Sequence, residues 1–131
     1  MFLDASAIIA IIAQEDDAAS LAARLDQAGE VQISPIVLFE AALGLARIGN
    51  TRPSLVMPLL ERFVSETSAT TLPINETVGR MAIEAFERFG KGRHPAALNL
   101  GDCFAYACAR LLDTALLCKG ADFPRTDATI A

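Results

Sequence analysis

The chain has 131 residues, of which 53% are hydrophobic and 21% are charged, which is the size and balance of one globular domain. A domain of this size buries about 68% of the surface that its unfolded chain exposes, so it folds without disulfides or a structural metal. Its six prolines and eight glycines are too few for a collagen-like or disordered chain. The net charge of −5 argues against a nucleic-acid partner for the chain as a whole, although a local patch can carry the opposite sign.

Several classes of protein are excluded by what the sequence lacks. No uncharged run reaches the roughly 20 residues that cross a bilayer, and no Lys or Arg precedes the apolar run at residues 5–14, as it would in a signal peptide. The three cysteines form no CxxC pair, and the single histidine, His94, cannot supply a histidine-rich zinc site. We therefore expect one domain over residues 1–131, in a soluble, cytoplasmic protein that has no membrane partner.

Strand-like and helix-like segments alternate along the chain. Short apolar or alternating runs predict strands at residues 1–4, 31–34, 70–74 and 114–118. Helical spacing and capping residues predict helices at residues 7–13, 16–28, 35–48, 53–66, 75–89 and, after a glycine-rich loop, through 104–112. This alternation predicts an α/β sandwich with a central, mainly parallel sheet surrounded by helices. Ligands bind at the carboxyl ends of such strands, and Asp4 and Asp122 follow the first and the last strand.

Three acidic residues, Asp4, Glu40 and Asp102, stand alone in apolar segments. Each is the only formally charged side chain in a run of 14 to 16 residues. Taken singly, each has a structural explanation, because Asp4 and Asp102 can cap helices and Glu40 can pair with Arg47. Taken together, the three acids need a further explanation. Burying an unpaired carboxylate costs several kcal/mol, and these runs contain no Lys or Arg to pair with them.

A divalent cation would neutralise such a group of acids. Carboxylate oxygens without His or Cys favour Mg²⁺ or Mn²⁺ over zinc or copper. Mg²⁺ keeps most of its waters and leaves positions open for a phosphate oxygen, which is the chemistry of metal-assisted phosphodiester hydrolysis. The residues alone therefore predict a metal-dependent phosphoryl hydrolase of unspecified substrate.

Four segments, in order and at these separations, resemble the PIN-domain ribonucleases and, among them, the VapC-type toxins of bacterial toxin–antitoxin pairs. The opening MFLDASA contains Asp4, and residues 34–40 end at Glu40. The long stretch FGKGRHPAALNLGDCFAYA contains Asp102 and is the most specific of the four. The closing loop, KGADFPRTD, contains Asp122. The resemblance covers nearly the whole chain and implies a PIN-like α/β/α sandwich.

The resemblance also implies an activity and its site. RNA would be cut endonucleolytically, leaving a 5′-phosphate and a 3′-hydroxyl. With Mg²⁺ or Mn²⁺ as cofactor, the catalytic residues and metal ligands would be Asp4, Glu40, Asp102 and Asp122. The implied partners are a cognate VapB-type antitoxin, which fills the groove and occludes the metal site, and a second copy of the chain in a homodimer.

Residues around the acids have two interpretations each. Ser6 and Asn99 can orient a carboxylate or a bound water, or they can serve only in helix capping and folding. The closing loop of the family often has two adjacent acids before its Phe. Here the first of these positions is Ala121, so Asp127 is an alternative to Asp122 as the fourth acid.

Positive charge for contact with RNA is available close to the third and fourth acids in the chain. The residues that could supply it are Arg88, Lys91, Arg93, Lys119 and Arg125. Lys91 and Arg93 are the candidate phosphate contacts, and the alternative is an exposed, solvated loop.

Two other functions compete with a ribonuclease. A catalytically inactive PIN-fold module that binds the antitoxin would share this fold; the three lone acids argue against it, and Ala121 argues for it. A phosphatase or receiver domain with Asp4 as phosphoacceptor would need a second acid close by, but Leu3, Ala5 and Ser6 stand there instead.

Overall fold

Four short parallel strands form the centre of the computed structural model, which describes all 131 residues. The strands are β1 (Phe2–Leu3), β2 (Gln32–Ile33), β3 (Thr70–Thr71) and β4 (Leu116–Leu117). Their order across the sheet is β3-β2-β1-β4, and Phe2 lies opposite both Gln32 and Leu116. The central strand β1 is fully buried, as expected where helices cover a parallel sheet. The predicted α/β sandwich is confirmed.

Six helices flank the sheet, and capping residues set several of their boundaries. They are α1 (Ala5–Ile12), α2 (Ala18–Asp26), α3 (Pro35–Ile48), α4 (Pro53–Glu66), α5 (Glu76–Phe89) and α6 (Leu100–Leu111). The side chains of Ser34 and Asn75 accept hydrogen bonds from the backbone N–H groups of Val37 and Val78, and so start α3 and α5. α1 begins earlier than predicted because Asp4 caps it directly after β1. α3 packs against α4, and α5 packs against α6.

The two loops near the carboxyl terminus are more ordered than the sequence predicted. Gly90 pairs with Leu98 and closes the loop between α5 and α6. The segment after β4 contains a short 3-10 turn, Phe123–Arg125, anchored by the buried ring of its first residue. Ile130 then pairs with Leu116, so the last residues extend the sheet beyond β4.

Buried apolar side chains form one continuous core of 34 residues. The three cysteines, Cys103, Cys108 and Cys118, are buried in it and unpaired. Burial raises the pKa of the first two thiols to about 11 and, together with nearby acids, that of Cys118 to about 12, so all three pack as small apolar residues. None of the helices combines the length and the apolar character needed to cross a bilayer.

Candidate metal centre

Asp4 lies at the carboxyl end of β1, where the chain turns into α1. Its Oδ2 accepts hydrogen bonds from the backbone N–H of Ser6 at 2.9 Å and from the Ser6 hydroxyl at 2.5 Å. Only 5% of the residue is exposed. This burial raises the pKa of Asp4 although the hydrogen bonds from Ser6 oppose the change. Asp4 is therefore an oriented and largely desolvated carboxylate.

The Ser6 hydroxyl also accepts a hydrogen bond from the backbone N–H of Lys119, at 2.9 Å. Lys119 begins the closing loop two residues after β4, and the neighbouring strands are joined there by a bond of 3.0 Å from the Asp4 N–H to the Leu117 carbonyl. The hydroxyl thus connects the first acid to the loop that carries Asp122. Asp4 itself is the cap of α1, so of the two interpretations of Ser6 the contacts of its hydroxyl agree better with orienting a carboxylate than with capping.

Glu40 reaches the same region from the second turn of α3. Its carboxylate lies against the backbone of Gly101 in α6, so closely that a Cβ atom built on Gly101 would stand 2.0 Å from Oε1. Burial, followed by the negative charges of Asp4 and Asp102, raises the pKa of Glu40 to about 7. The three acids that stand alone in the sequence are therefore brought within electrostatic reach of one another.

Asp102 occupies the first turn of α6 in a reciprocal cap with Asn99. The Asn99 N–H donates to Asp102 Oδ2 at 2.9 Å, and the Asp102 N–H donates to Asn99 Oδ1 at 2.9 Å. Burial raises the pKa of Asp102 to about 6, the bond from Asn99 opposes this, and the charges of Asp4 and Asp122 add to it. Asn99 is thus a helix cap that holds the carboxylate through its backbone and not through its side-chain amide.

The two candidates for the fourth acid have different surroundings. Asp122 is exposed at the start of the 3-10 turn and lies near enough to raise the pKa of Asp102. Asp127 instead accepts hydrogen bonds from the Tyr106 hydroxyl at 2.5 Å and from Arg88 Nη2 at 2.7 Å. These bonds lower the pKa of Asp127. Asp122 is accordingly the candidate whose charge acts on another of the acids, while Asp127 is engaged with Tyr106 and Arg88.

The donor set fits a hard divalent cation. Asp4, Glu40 and Asp102 take part in none of the five ion pairs of the chain, so no basic side chain neutralises them. The glycine at position 101 leaves room for a carboxylate where any side chain would fill the space. In the metal-free arrangement, no group of three or more acidic, histidine or cysteine side chains is gathered closely enough to hold a metal ion. Mg²⁺ keeps several of its waters when bound to protein, so the acids do not have to form a closed set of ligands around it.

The basic residues near the acids differ in whether they are already paired. Acidic side chains neutralise Lys119 and Arg88, and a backbone carbonyl accepts a hydrogen bond from Arg125. Lys91 and Arg93 are exposed in the loop between α5 and α6 and take part in no ion pair. Of the five cations predicted as a source of local positive charge, these two remain the most available.

A cavity of about 760 Å³ lies between α5 and α6. Its apolar lining includes Ile83, Phe86, Leu100 and Phe104. None of the four candidate acids lines it. The candidate metal centre is therefore a carboxylate cluster at the edge of the sheet and is distinct from this cavity.

Sequence reasoning missed two residues of this region. Gly101 gave no signal, because the last helix was predicted only from residue 104, whereas α6 begins at Leu100 and contains this glycine, a residue that often marks a close approach inside a helix. Tyr106 gave no signal either, since its partner Asp127 lies 21 residues further along the chain and the tyrosine stands in an apolar run.

Residues 1–129 match the PIN domain family. A VapC ribonuclease of Rhizobium meliloti is 41% identical to this chain, over 96% of this chain and 97% of its own length. Ribonuclease VapC28 of Mycobacterium tuberculosis is 38% identical, over 96% of this chain and 93% of its own length. These relatives match almost from end to end.

Solved structures show the same fold. One of them is the Mycobacterium tuberculosis toxin VapC20, which is described as cleaving the sarcin–ricin loop. It superposes with a TM-score of 0.76 at 18% identity, and the match covers 99% of this chain and 97% of the VapC20 chain. A chain of a toxin–antitoxin complex from Klebsiella pneumoniae superposes with a TM-score of 0.68 at 17% identity, covering 99% and 95%. The fold, the family match and the full-length relatives agree: the chain belongs to the PIN-domain family and, within it, to the VapC ribonucleases.

Proposed function

We propose that residues 1–131 form one PIN domain that acts as the toxin of a toxin–antitoxin pair and cuts RNA endonucleolytically with Mg²⁺ or Mn²⁺. The observation that carries this proposal is that Asp4 lies near enough to Glu40 and Asp102 to raise the pKa of both, and that none of the three acids has a basic partner. A divalent ion is the charge that such a group lacks. Similarity to VapC ribonucleases supports RNA as the substrate.

The acids and their neighbours have separate tasks in this proposal. Asp4, Glu40 and Asp102 would hold the ion, and Asp122 would complete the site from the closing loop. When bound, the ion would supply a metal-activated water and stabilise negative charge on the scissile phosphate. Ser6 keeps Asp4 oriented through Oδ2. The backbone N–H of Asn99, which caps α6, keeps the Asp102 carboxylate oriented in the same way.

Lys91 and Arg93 contact the phosphates of the bound RNA in this proposal. Both belong to the loop that leads directly into α6 and its first-turn acid. The Lys91 N–H donates to the Leu98 carbonyl at 2.9 Å, which closes the loop. Arg125 Nη1 donates to the Pro95 carbonyl at 3.0 Å and joins this loop to the closing loop. These bonds tie the loop that carries Lys91 and Arg93 to the closing loop, which carries Asp122.

A cognate VapB-type antitoxin is the protein partner in this proposal. Phe39 and Leu43 flank Glu40 along α3 and are 64% and 45% exposed. Large apolar side chains beside a charged site suit a segment that covers both, and a structural neighbour of this chain comes from a toxin–antitoxin complex. We further propose a homodimer, as the family resemblance implies, and light scattering on the purified chain decides this point.

The experiment that tests the activity uses purified chain without antitoxin. It is incubated with total RNA and Mg²⁺ or Mn²⁺, beside an Asp102→Asn variant and a sample with EDTA. The matched control is Asp113→Asn, because Asp113 is exposed just after α6 and already has a positive φ of 48°, which Asn tolerates. We expect discrete fragments from the wild type and from Asp113→Asn, and none from the other two samples.

Two results would contradict the proposal. Cleavage that persists in Asp102→Asn or in EDTA would show that the carboxylate cluster is not the catalytic site. A folded wild-type chain that neither cuts RNA nor binds Mn²⁺ would select the inactive antitoxin-binding module instead. The chemistry of the fragment ends then checks the mechanism, since hydrolysis by a metal-activated water is expected to leave a 5′-phosphate.

A further inference from the structure

Gly101, the second residue of α6, makes the closest approach to a carboxylate of any glycine in the chain. A Cβ atom added there would lie 2.0 Å from Oε1, 2.2 Å from Oε2 and 2.3 Å from Cδ of Glu40. These three atoms are the whole carboxylate group. The space that an ordinary side chain would occupy on α6 is therefore filled by the acid of α3.

Backbone conformation does not explain a glycine at this position. The glycines with positive φ are Gly92 and Gly120, whereas Gly101 has ordinary helical geometry. Glycine inside a helix is less favourable than alanine because the unfolded chain gains freedom. The benefit that offsets this cost is the room for Glu40.

The other helical glycines have different neighbours. A Cβ atom on Gly44 would meet the Ile9 side chain, which is apolar packing between α3 and α1. A Cβ atom on Gly79 in α5 would meet nothing within 4 Å. The contact with a carboxylate is specific to Gly101, and it occurs one residue before Asp102.

We propose that Gly101 is a positioning residue for the candidate metal centre: its missing side chain seats the Glu40 carboxylate against the first turn of α6, beside Asp102. The positive end of the α6 dipole favours a carboxylate at this place, whereas the charges of the neighbouring acids repel it. The contact with the backbone of α6 fixes where the second acid stands relative to the third. The part of this inference that concerns the ion rests on the proposed function.

The first test is Gly101→Ala, with Gly79→Ala as the matched control of the same chemical change in another helix. The new methyl group forces the Glu40 carboxylate to withdraw by about 1.4 Å to reach an ordinary contact of 3.4 Å. A displacement of about 1 Å in a catalytic group can lower a rate roughly 100-fold. We expect Mn²⁺ affinity, measured by calorimetry, to fall at least roughly tenfold in Gly101→Ala and to stay unchanged in Gly79→Ala.

The second test removes the carboxylate and asks whether the effect of the methyl group changes. In a Glu40→Ala background the space beside Gly101 is empty, so Gly101→Ala should raise the melting temperature of the metal-free chain, as Gly79→Ala does. In the wild-type background the same substitution should raise it less or lower it. This cycle is read from thermal unfolding in EDTA and needs neither RNA nor metal.

The outcomes separate this inference from the proposed function. The positioning role is overturned if Gly101→Ala binds Mn²⁺ as tightly as the wild type does. It is also overturned if Gly101→Ala changes the melting temperature equally in the wild-type and Glu40→Ala backgrounds. A wild-type chain that binds no Mn²⁺ refutes the proposed metal function, and the thermal cycle alone then decides whether Gly101 seats Glu40. A loss of affinity together with unequal temperature shifts supports both.

Discussion

The Tyr106 hydroxyl donates a hydrogen bond to Asp127 Oδ1 at 2.5 Å. Asp127 is therefore bonded to α6 and is not one of the free acids at the sheet edge. Arg88 donates to the other carboxylate oxygen at 2.7 Å. The three side chains join α5 and α6 to the segment that follows the 3-10 turn. Asp127 therefore fastens the closing loop, and Asp122 remains the acid of that loop that acts on Asp102.

This difference predicts opposite phenotypes for two acid-to-amide substitutions in one loop. We expect Asp122→Asn to lower RNA cleavage roughly tenfold, by analogy with changes close to a metal, and to leave stability unchanged. Asp127→Asn should leave cleavage near the wild-type level and cost less than about 1 kcal/mol of stability, since its ion pair is exposed. Initial cleavage rates and denaturant unfolding measure the two effects. A larger loss of cleavage in Asp127→Asn would exchange the two assignments.

The metal-free chain should lose stability as the pH rises. Folding raises the pKa of Glu40 from 4.5 to about 7 and that of Asp102 from 3.8 to about 6. The folded chain therefore binds more protons than the unfolded chain between about pH 4 and about pH 7, and its free energy of unfolding falls across that window. Folding lowers the pKa of Asp127, so this group makes the free energy of unfolding rise with pH, but only below about pH 4.

Thermal unfolding at about pH 5 and about pH 8 checks this expectation, in EDTA and in Mn²⁺. The melting temperature in EDTA should be lower at the higher pH, and Mn²⁺ should restore it there because the ion requires deprotonated carboxylates. Glu40→Gln should flatten the dependence in EDTA. A melting temperature that is constant or rises with pH in EDTA would show that the acids are better solvated than their burial indicates.

The edge of the sheet where the acids meet could be predicted from local patterns. Apolar runs that alternate with helices require parallel strands, and parallel strands bring their carboxyl ends to one edge. Asp4 directly follows β1, and its N–H bonds to Leu117 at the end of β4. Lone charges in apolar runs identified Glu40 and Asp102 because a core tolerates an ionised side chain only for a reason.

Contacts between distant side chains could not be predicted in the same way. Glu40 meets Gly101 because α3 and α6 pack together, and no pattern in either helix encodes the angle between them. Arg88 and Lys119 were predicted as charge available to RNA, yet acidic partners far along the chain neutralise both. Sequence patterns thus placed the acids on their elements, while the pairing of each charge depended on tertiary packing.

Ser6→Ala tests whether the hydroxyl that bridges Asp4 and Lys119 matters for the metal. The substitution removes one hydrogen bond to Asp4 Oδ2 and leaves the Lys119 N–H without its acceptor. We expect Mn²⁺ to bind roughly 10- to 100-fold more weakly, as for other residues that orient metal ligands. Ser20→Ala, on the exposed face of α2, is the matched control. Calorimetry that finds the same Mn²⁺ affinity in both variants would reduce Ser6 to a structural link.

Replacing Lys91 and Arg93 together by Ala tests the proposed contact with RNA. Binding is measured in an Asp102→Asn background, so that the RNA stays intact, between about 50 and about 200 mM salt. Each lost phosphate contact on single-stranded RNA should reduce the slope of log affinity against log salt by about 0.7. We expect weaker binding and a shallower slope, because both residues are exposed and take part in no ion pair.

The control for this measurement is the double variant Arg47→Ala and Arg52→Ala, which removes the same charge from exposed positions at the junction of α3 and α4. Its salt slope should match that of the parent, because a change in net charge alone creates no counterion release at a phosphate contact. If both double variants reduce the slope equally, the attraction is a property of the whole surface. If only the substitutions at Lys91 and Arg93 reduce the slope, RNA is bound at the loop that leads into α6, close in the chain to the third acid. The negative net charge of the chain then does not prevent binding of RNA, because the contact is local.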